Sequence, residues 1–253
     1  MSDAGEDFAG RVALVTGGSR GIGAGIARGL AERGARVVVT GRDQAALAAV
    51  AETIRRSGGE VAAIAADLTQ PNSVEALRDA VEAAFGPPQL VVACAGGGGQ
   101  LTPLCDETLE SWRATIDRNL TTGFLTLRAF LPSMYQRGEG AVVLMSSSAG
   151  RQLSGASAPY SAAKAGLQAL MRQAASEAAS HGVRINAIAP SAIVTERLAA
   201  QPASVREQIA RGFPLGRLGE VDDVAAATLF LLSDAAGWIT GVTLDVAGGR
   251  VMV

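Results

Sequence analysis

Val12-Ala-Leu-Val-Thr16-Gly17-Gly-Ser-Arg-Gly21-Ile-Gly23 is the stretch that decides how this chain folds. Four apolar residues without alternation have the pattern of a strand buried on both faces. Glycines at 17, 21 and 23 follow, and an alanine-rich helical pattern runs over residues 21–33. Such glycines let the chain turn tightly and let an anion lie against bare backbone N–H groups at a helix start. Placed between a first strand and a first helix, the spacing points to a pyrophosphate.

The same alternation continues outward. Short apolar runs at residues 37–39, 61–64, 90–92, 141–144, 183–188 and 242–246 read as further buried strands. Helical patterns at 44–57 and 72–85 separate the early ones. In the latter, Val74, Leu77, Val81 and Ala84 keep the three-four spacing of a buried stripe. Strands alternating with helices predict an α/β fold: a single-domain, doubly wound parallel sheet of Rossmann type with helices on both faces, spanning residues 1–253. The least regular region, about 191–219, contains Pro202, Pro214 and a short helical candidate at 204–211. It follows a strand's C-terminal end, where open α/β sheets bind ligands, and is expected to be a mobile lid.

Composition removes other classes. With 253 residues, 48% hydrophobic content and a formal charge of -2, the chain suits one large domain and has no basic excess for nucleic acid. Residues 1–10 carry Asp3, Glu6 and Asp7 and lack the pattern of a signal peptide; no apolar run is long enough to span a bilayer. Cys94 and Cys105 have no CxxC spacing and the chain has one histidine, which argues against a disulfide framework or a metal site and fits a cytoplasmic protein. That histidine, His181, stands in a His-Gly-Val turn and reads as a helix C-terminal cation, not a hydrolase base.

One lysine stands against 21 arginines, and it follows Tyr160, one of two tyrosines, by four residues. If residues 157–181 are helical, Tyr160 and Lys164 lie one turn apart on one face and can act on the same atom. An ammonium is a compact point charge that a guanidinium does not replace. Nearby positive charge is expected to lower the tyrosine pKa from about 10.

With these motifs in place, the chain resembles the short-chain dehydrogenase/reductase family over essentially its whole length. Gly17, Gly21 and Gly23 match the family's Gly-xxx-Gly-x-Gly. Asn119, Ser147, Tyr160 and Lys164 match its catalytic tetrad, with Ser146 and Ser148 as near alternatives to Ser147. The resemblance implies hydride transfer between a nicotinamide and a carbonyl or secondary alcohol. In that scheme Tyr160 is the acid or base, Ser147 holds the substrate oxygen, Lys164 also binds the nicotinamide ribose, and Asn119 fixes a relay water. It assigns the cofactor to Gly17, Ser19, Arg20, Gly21, Ile22 and Gly23, to Arg42, Asp67 and Leu68, to Ala95 and Gly96, and to Pro190, Ile193 and Thr195, with Asn119, Tyr160 and Lys164 also contributing.

The family's NAD-type acid would fall at Gly41. Its absence, with Arg42 next and Arg20 in the loop, implies NADP and a basic pair for the 2'-phosphate. Asp43 is a counter-signal that reads better as a helix cap. Two departures are visible. Ala93-Cys-Ala-Gly96 replaces the usual Asn-Asn-Ala-Gly, implying a looser local network, and Ser191 replaces a glycine. The implied activity is an NADP(H)-dependent reductase acting on a small-molecule ketone of 3-oxoacyl type. An alcohol, sugar or steroid dehydrogenase, or a cofactor-binding regulator without turnover, is the alternative. Arg118, Arg151, Arg197 and Arg217 are candidates for docking a thioester carrier, and the C-terminal segment implies a homotetramer or homodimer.

Overall fold

The computed structural model describes residues 8–98 and 101–252. The acidic residues Asp3, Glu6 and Asp7, and Gly99 of the glycine run, fall outside the described residues. Strands β1 (Val12–Thr16), β2 (Arg36–Gly41), β3 (Val61–Ala65), β4 (Leu90–Ala93), β5 (Gly140–Met145) and β6 (Val183–Pro190) alternate with helices. These are α1 (Gly21–Ala31), α2 (Gln44–Arg56), α3 (Pro71–Phe85), α4 (Leu109–Ile116), α5 (Thr122–Arg137) and α6 (Ala158–Ala178). Then come β7 (Ile193–Val194), α7 (Glu196–Ala199), α8 (Ala203–Ala210), β8 (Gly219–Glu220), α9 (Val221–Leu232) and β9 (Thr243–Val246).

Seven strands form one parallel sheet in the order β3-β2-β1-β4-β5-β6-β9, the expected doubly wound topology. The unalternating apolar runs are explained by two cores. Ala13, Val15, Val37, Val39, Leu90 and Val92 face one layer, where Ile26, Leu30, Leu47 and Leu229 of α1, α2 and α9 meet them. Leu14, Val38, Val91 and Ala93 face the other, packed by Val74, Leu77, Phe130, Leu167 and Met171 of α3, α5 and α6. Adjacent strand residues point to opposite faces, so both parities must be apolar.

Strand order reverses beside β1, whose neighbours are β2 and β4. Thr16, its last residue, is in register with Thr40 and Ala93. That reversal opens the crevice in which ligands of such sheets bind.

Element boundaries move by a residue or two from those read in the sequence, as terminal turns fray into tighter forms. The ladder β7–β8 was not legible, because two-residue strands have no period to detect. It ties together the ends of the 191–219 segment: Ile193 pairs with Gly219 and Val194 with Glu220. Arg217 reinforces the closure by forking onto Asp223 at 2.6 and 2.9 Å, while Asp223 also accepts from Glu220 N. That fork and the backbone donor hold the Asp223 carboxyl down at about 2. His181, in the 3-10 turn after α6, stacks on Tyr135 at 4.2 Å between ring centroids. Its role is structural.

Candidate active site

The C-terminal ends of β1, β4, β5 and β6 surround one cleft. At β1, glycine is required at both ends of the loop: a β-carbon on Gly23 would lie 2.2 Å from Gly17 O, and Gly17 itself sits at φ +65. The first turn of α1 therefore presents bare backbone. Ser19 lies in the loop near Gly41, and Ile22 packs against the core.

Glu196 of α7 reaches this turn. Its Oε1 accepts from Gly21 N at 3.3 Å, and Thr195 Cγ2 approaches within 3.2 Å of where a β-carbon on Gly21 would be. A carboxylate at a helix N-terminus is electrostatically favourable, and here it stands where the sequence places a pyrophosphate. A pyrophosphate bound there would compete with the carboxylate for one set of donors. Replacing Glu196 with Gln is therefore expected to tighten dinucleotide binding about threefold to tenfold, read by fluorescence titration. Unchanged or weaker affinity would mean that the carboxylate does not compete.

At β2 the expected basic pair is altered. Arg20 Nη2 lies 2.6 Å from Asp43 Oδ2, while Asp43 Oδ1 accepts from Ala46 N and caps α2. Asp43 thus performs the expected capping and also pairs with Arg20. Arg42 is exposed, and its charge helps hold the Asp67 carboxyl low, after the larger effect of hydrogen bonds from Thr69. Leu68 turns into the core.

At β4, the backbone at Cys94 is held by a side chain from β1. Thr16 Oγ1 accepts from both Cys94 N and Ala95 N at 3.1 Å. Cys94 packs against the core, and burial pushes its thiol up to about 11. Gly96 follows at φ +153, where a β-carbon would stand 2.7 Å from Asn119 Oδ1 and 3.3 Å from Lys164 Nζ. Asn119, 1% exposed, lies in a π-turn at Asp117–Thr121 between α4 and α5. Its Oδ1 accepts from Gly97 N, and its Nδ2 donates to Gly97 O and Thr115 O. The amide thus clamps the glycine loop, and only a second lone pair on Oδ1 is left for a relay water.

At β5, the three serines separate. Ser146 Oγ donates to Lys164 O and accepts from Gln168 Nε2, so it is spent on α6. Ser148 is buried. Ser147 Oγ accepts from Ala149 N and keeps its proton free to reach the Tyr160 phenol. Tyr160 and Lys164 lie on one face of α6, with Nζ 5.6 Å from the phenol ring centroid. Lys164 is 3% exposed and donates to Met145 O at 2.7 Å.

The electrostatics correct one expectation. Burial pushes the Tyr160 phenol above its ordinary value; the Ser147 hydroxyl opposes this, the Cys94 thiol adds to it and Arg197 opposes it. Lys164 is directed at the Met145 carbonyl. Burial pushes the ammonium itself down to about 8.

Gln168 and Thr16 are site supports that sequence reasoning missed. Gln168 had a signal: residues 160, 164 and 168 continue a single four-residue spacing along one helix face. Thr16 had none, since its partners lie 78 and 79 residues away. Pro190 ends β6, Ile193 is buried and Thr195 lies over the first turn of α1. Ser191 donates its backbone N–H to Val246 O at 3.2 Å.

A family profile described as Enoyl-(Acyl carrier protein) reductase matches residues 17–250. The chain is 42% identical over 253 residues to Cis-4-hydroxycyclohexanecarboxylate dehydrogenase of Sinomonas cyclohexanicum, covering 98% of this chain and 100% of that one. It is 36% identical over 249 residues to 3-oxoacyl-(acyl-carrier-protein) reductase FabG of Escherichia coli (strain K12), with 98% and 100% covered. A solved short-chain type dehydrogenase/reductase from Mycobacterium ulcerans superposes with a TM-score of 0.91 at 36% identity, covering 96% of this chain and 90% of that one. Fold and relatives together define an oxidoreductase of Rossmann type that works with a nicotinamide dinucleotide. The chain belongs to the short-chain dehydrogenase/reductase family.

Proposed function

We propose that this protein interconverts a ketone and a secondary alcohol using NADP(H), with Tyr160 passing the proton. The approach of Ser147, Tyr160 and Lys164 to one another at the end of β5, with Lys164 Nζ anchored on Met145 O, carries this reading. The residues present fit a dinucleotide, since the loop whose crowding excludes a β-carbon at Gly23 offers bare backbone at the start of α1. Gly17, Ser19, Gly21 and Ile22 would hold the pyrophosphate and ribose, Arg42 with Arg20, once Arg20 leaves Asp43, the 2'-phosphate, Asp67 and the Leu68 backbone the adenine, and Pro190, Ile193 and Thr195 the carboxamide. Ala95 and Gly96 would line the ribose side.

When bound, the reduced nicotinamide supplies a hydride to the carbonyl carbon. Ser147 donates to the carbonyl oxygen and holds it beside the phenol. Tyr160 then gives its proton as the C=O π bond breaks, leaving an alcohol; oxidation runs the same proton back. Lys164 keeps two donors beyond the Met145 carbonyl for the nicotinamide ribose and the phenol. Asn119 positions the Gly97 backbone beside them.

A 3-oxoacyl-type ketone is the substrate class favoured by the motifs and supported by the 36% identical reductase. A cyclic secondary alcohol is a second reading, supported by the 42% identical dehydrogenase. A screen of 3-oxoacyl thioesters, cyclic ketones and their alcohols, followed by NADPH and NADH absorbance, tests both; no turnover anywhere with cofactor bound would instead favour a regulator. Preference for NADP rests on Arg42 and on the missing acid at Gly41. Replacing Arg42 with Asp is expected to shift the kcat/KM ratio about tenfold or more toward NADH, and an unchanged ratio would remove Arg42 from the phosphate site.

The assembly we propose is a homotetramer or homodimer, supported by exposed Leu104, Leu109 and Phe124 before and along α4 and α5 and by Trp238 and Leu244 near the edge strand β9. Light scattering reads the subunit number. The free cysteines Cys94 and Cys105 agree with a reducing cytoplasm, and among the described residues no helix is long and apolar enough to cross a membrane.

A further inference from the structure

Resting on the oxidoreductase reading above, we infer that Arg197 recognises a carboxylate carried by the substrate itself, so that the substrate class is a small oxo or hydroxy acid. Arg197 belongs to α7, the helix that follows Thr195 and Glu196 over the cofactor loop. Its Nη1 lies 3.6 Å from the position a β-carbon on Gly98 would take, so the guanidinium spans from the lid to the glycine loop after β4. These two segments border the cleft that holds Tyr160, and the Arg197 charge is felt at the phenol.

Several other cations of the region are paired. Arg20 is held by Asp43, Arg151 by Asp245 and Arg217 by Asp223, and the Lys164 ammonium is buried against Met145 O. Of the four arginines considered for carrier docking, Arg151 and Arg217 are thus paired, while Arg118 and Arg197 have no ion pair among the described residues. Among the described residues Arg197 has neither an ion pair nor a hydrogen bond. A guanidinium offers a planar fork that matches a carboxylate bidentately.

Position decides what kind of anion this is. Arg197 is exposed at the mouth, yet its guanidinium reaches inward to the glycine loop after β4, whose Gly97 is held by the buried Asn119. A carbonyl held by Ser147 and Tyr160 leaves the rest of a small molecule pointing toward the lid. An acid group on a short chain or across a small ring then meets the guanidinium. Pairing also removes the Arg197 effect that favours phenolate, keeping the Tyr160 proton available for reduction.

The test compares a cyclohexanone bearing a carboxylate with its methyl ester, in wild type, Arg197→Met and Arg197→Lys, using the cofactor that supports turnover in the general screen. The expected wild-type preference for the acid, in kcat/KM, is at least about tenfold. It should collapse in Arg197→Met and be partly retained in Arg197→Lys. Equal use of acid and ester by wild type overturns the inference, as does a preference that survives Arg197→Met. A loss of cofactor affinity with an unchanged acid-to-ester ratio overturns it too, by assigning Arg197 to the dinucleotide.

Binding separates this inference from the activity reading. Cyclohexanecarboxylate, which cannot react, should bind the cofactor-loaded enzyme more tightly than cyclohexanecarboxamide, and the difference should vanish in Arg197→Met. If no ketone or alcohol in the screen is turned over, the oxidoreductase reading fails, while Arg197-dependent binding of the acid would still support the anion site. If turnover is found and acid and amide bind alike, the anion site fails alone.

Discussion

Replacing Tyr160 with phenylalanine is expected to lower kcat by roughly 10²–10⁴-fold, the usual contribution of a positioned acid or base, while cofactor affinity stays within a few-fold. The substitution removes one oxygen and keeps the ring, so packing on α6 is preserved and the loss reports proton transfer. Burial holds the phenol above its ordinary value. The protonated form needed for reduction therefore persists across neutral pH, whereas the phenolate needed for oxidation grows only as the solution becomes alkaline. Reduction rates should be flat through neutrality, and oxidation rates should climb with pH. Steady-state kinetics in both directions, with fluorescence titration of cofactor, reads all three quantities. Wild-type-like turnover in the variant would remove Tyr160 from the chemistry.

Lys164→Met should cost about 10²–10³-fold in kcat, the scale of losing one preorganised donor, and should also change how stability depends on pH. Burial pushes the Lys164 ammonium down to about 8 from an ordinary 10.5. Between those values the unfolded chain binds a proton that the folded chain does not, so stability contributed through Lys164 rises with pH. Cys94 acts oppositely: its thiol, pushed up from 9.0 to about 11, makes stability fall once the unfolded thiol ionises above about pH 9. The clean window is pH 8 to 9. There the wild type should gain about 1 kcal/mol relative to Lys164→Met, one pH unit of a single proton. Denaturant unfolding at both pH values measures it. Parallel curves for the two proteins would show that Lys164 is not desolvated.

Much of the site was legible because its spacing is local. Tyr160 and Lys164 share a helix face by virtue of the 3.6-residue turn, and Gly17, Gly21 and Gly23 act within one turn of chain. What escaped notice depends on distant partners. The sequence offered Arg20 and Arg42 as a pair of cations, yet a side chain 23 positions away pairs with one of them. It offered Cys94 as a weak point, yet Thr16 anchors the amides around it. Three adjacent serines are chemically alike in sequence; their difference arises from which of them faces Gln168 and which faces Tyr160.

The chain by itself determines the alternation of buried strands and amphipathic helices, the bare-backbone turn after β1 and the placing of its single lysine one turn from a tyrosine. These follow from steric and periodic rules acting over a few residues. Only the tertiary structure decides that the Lys164 ammonium is buried and aimed at Met145 O, that the Glu196 carboxylate rests on the turn that would cradle a pyrophosphate, and that Arg197 stands uncommitted over the cleft. Charges and donors are assigned by neighbours brought together across the sheet's reversal, and burial then sets what each group will hold or release.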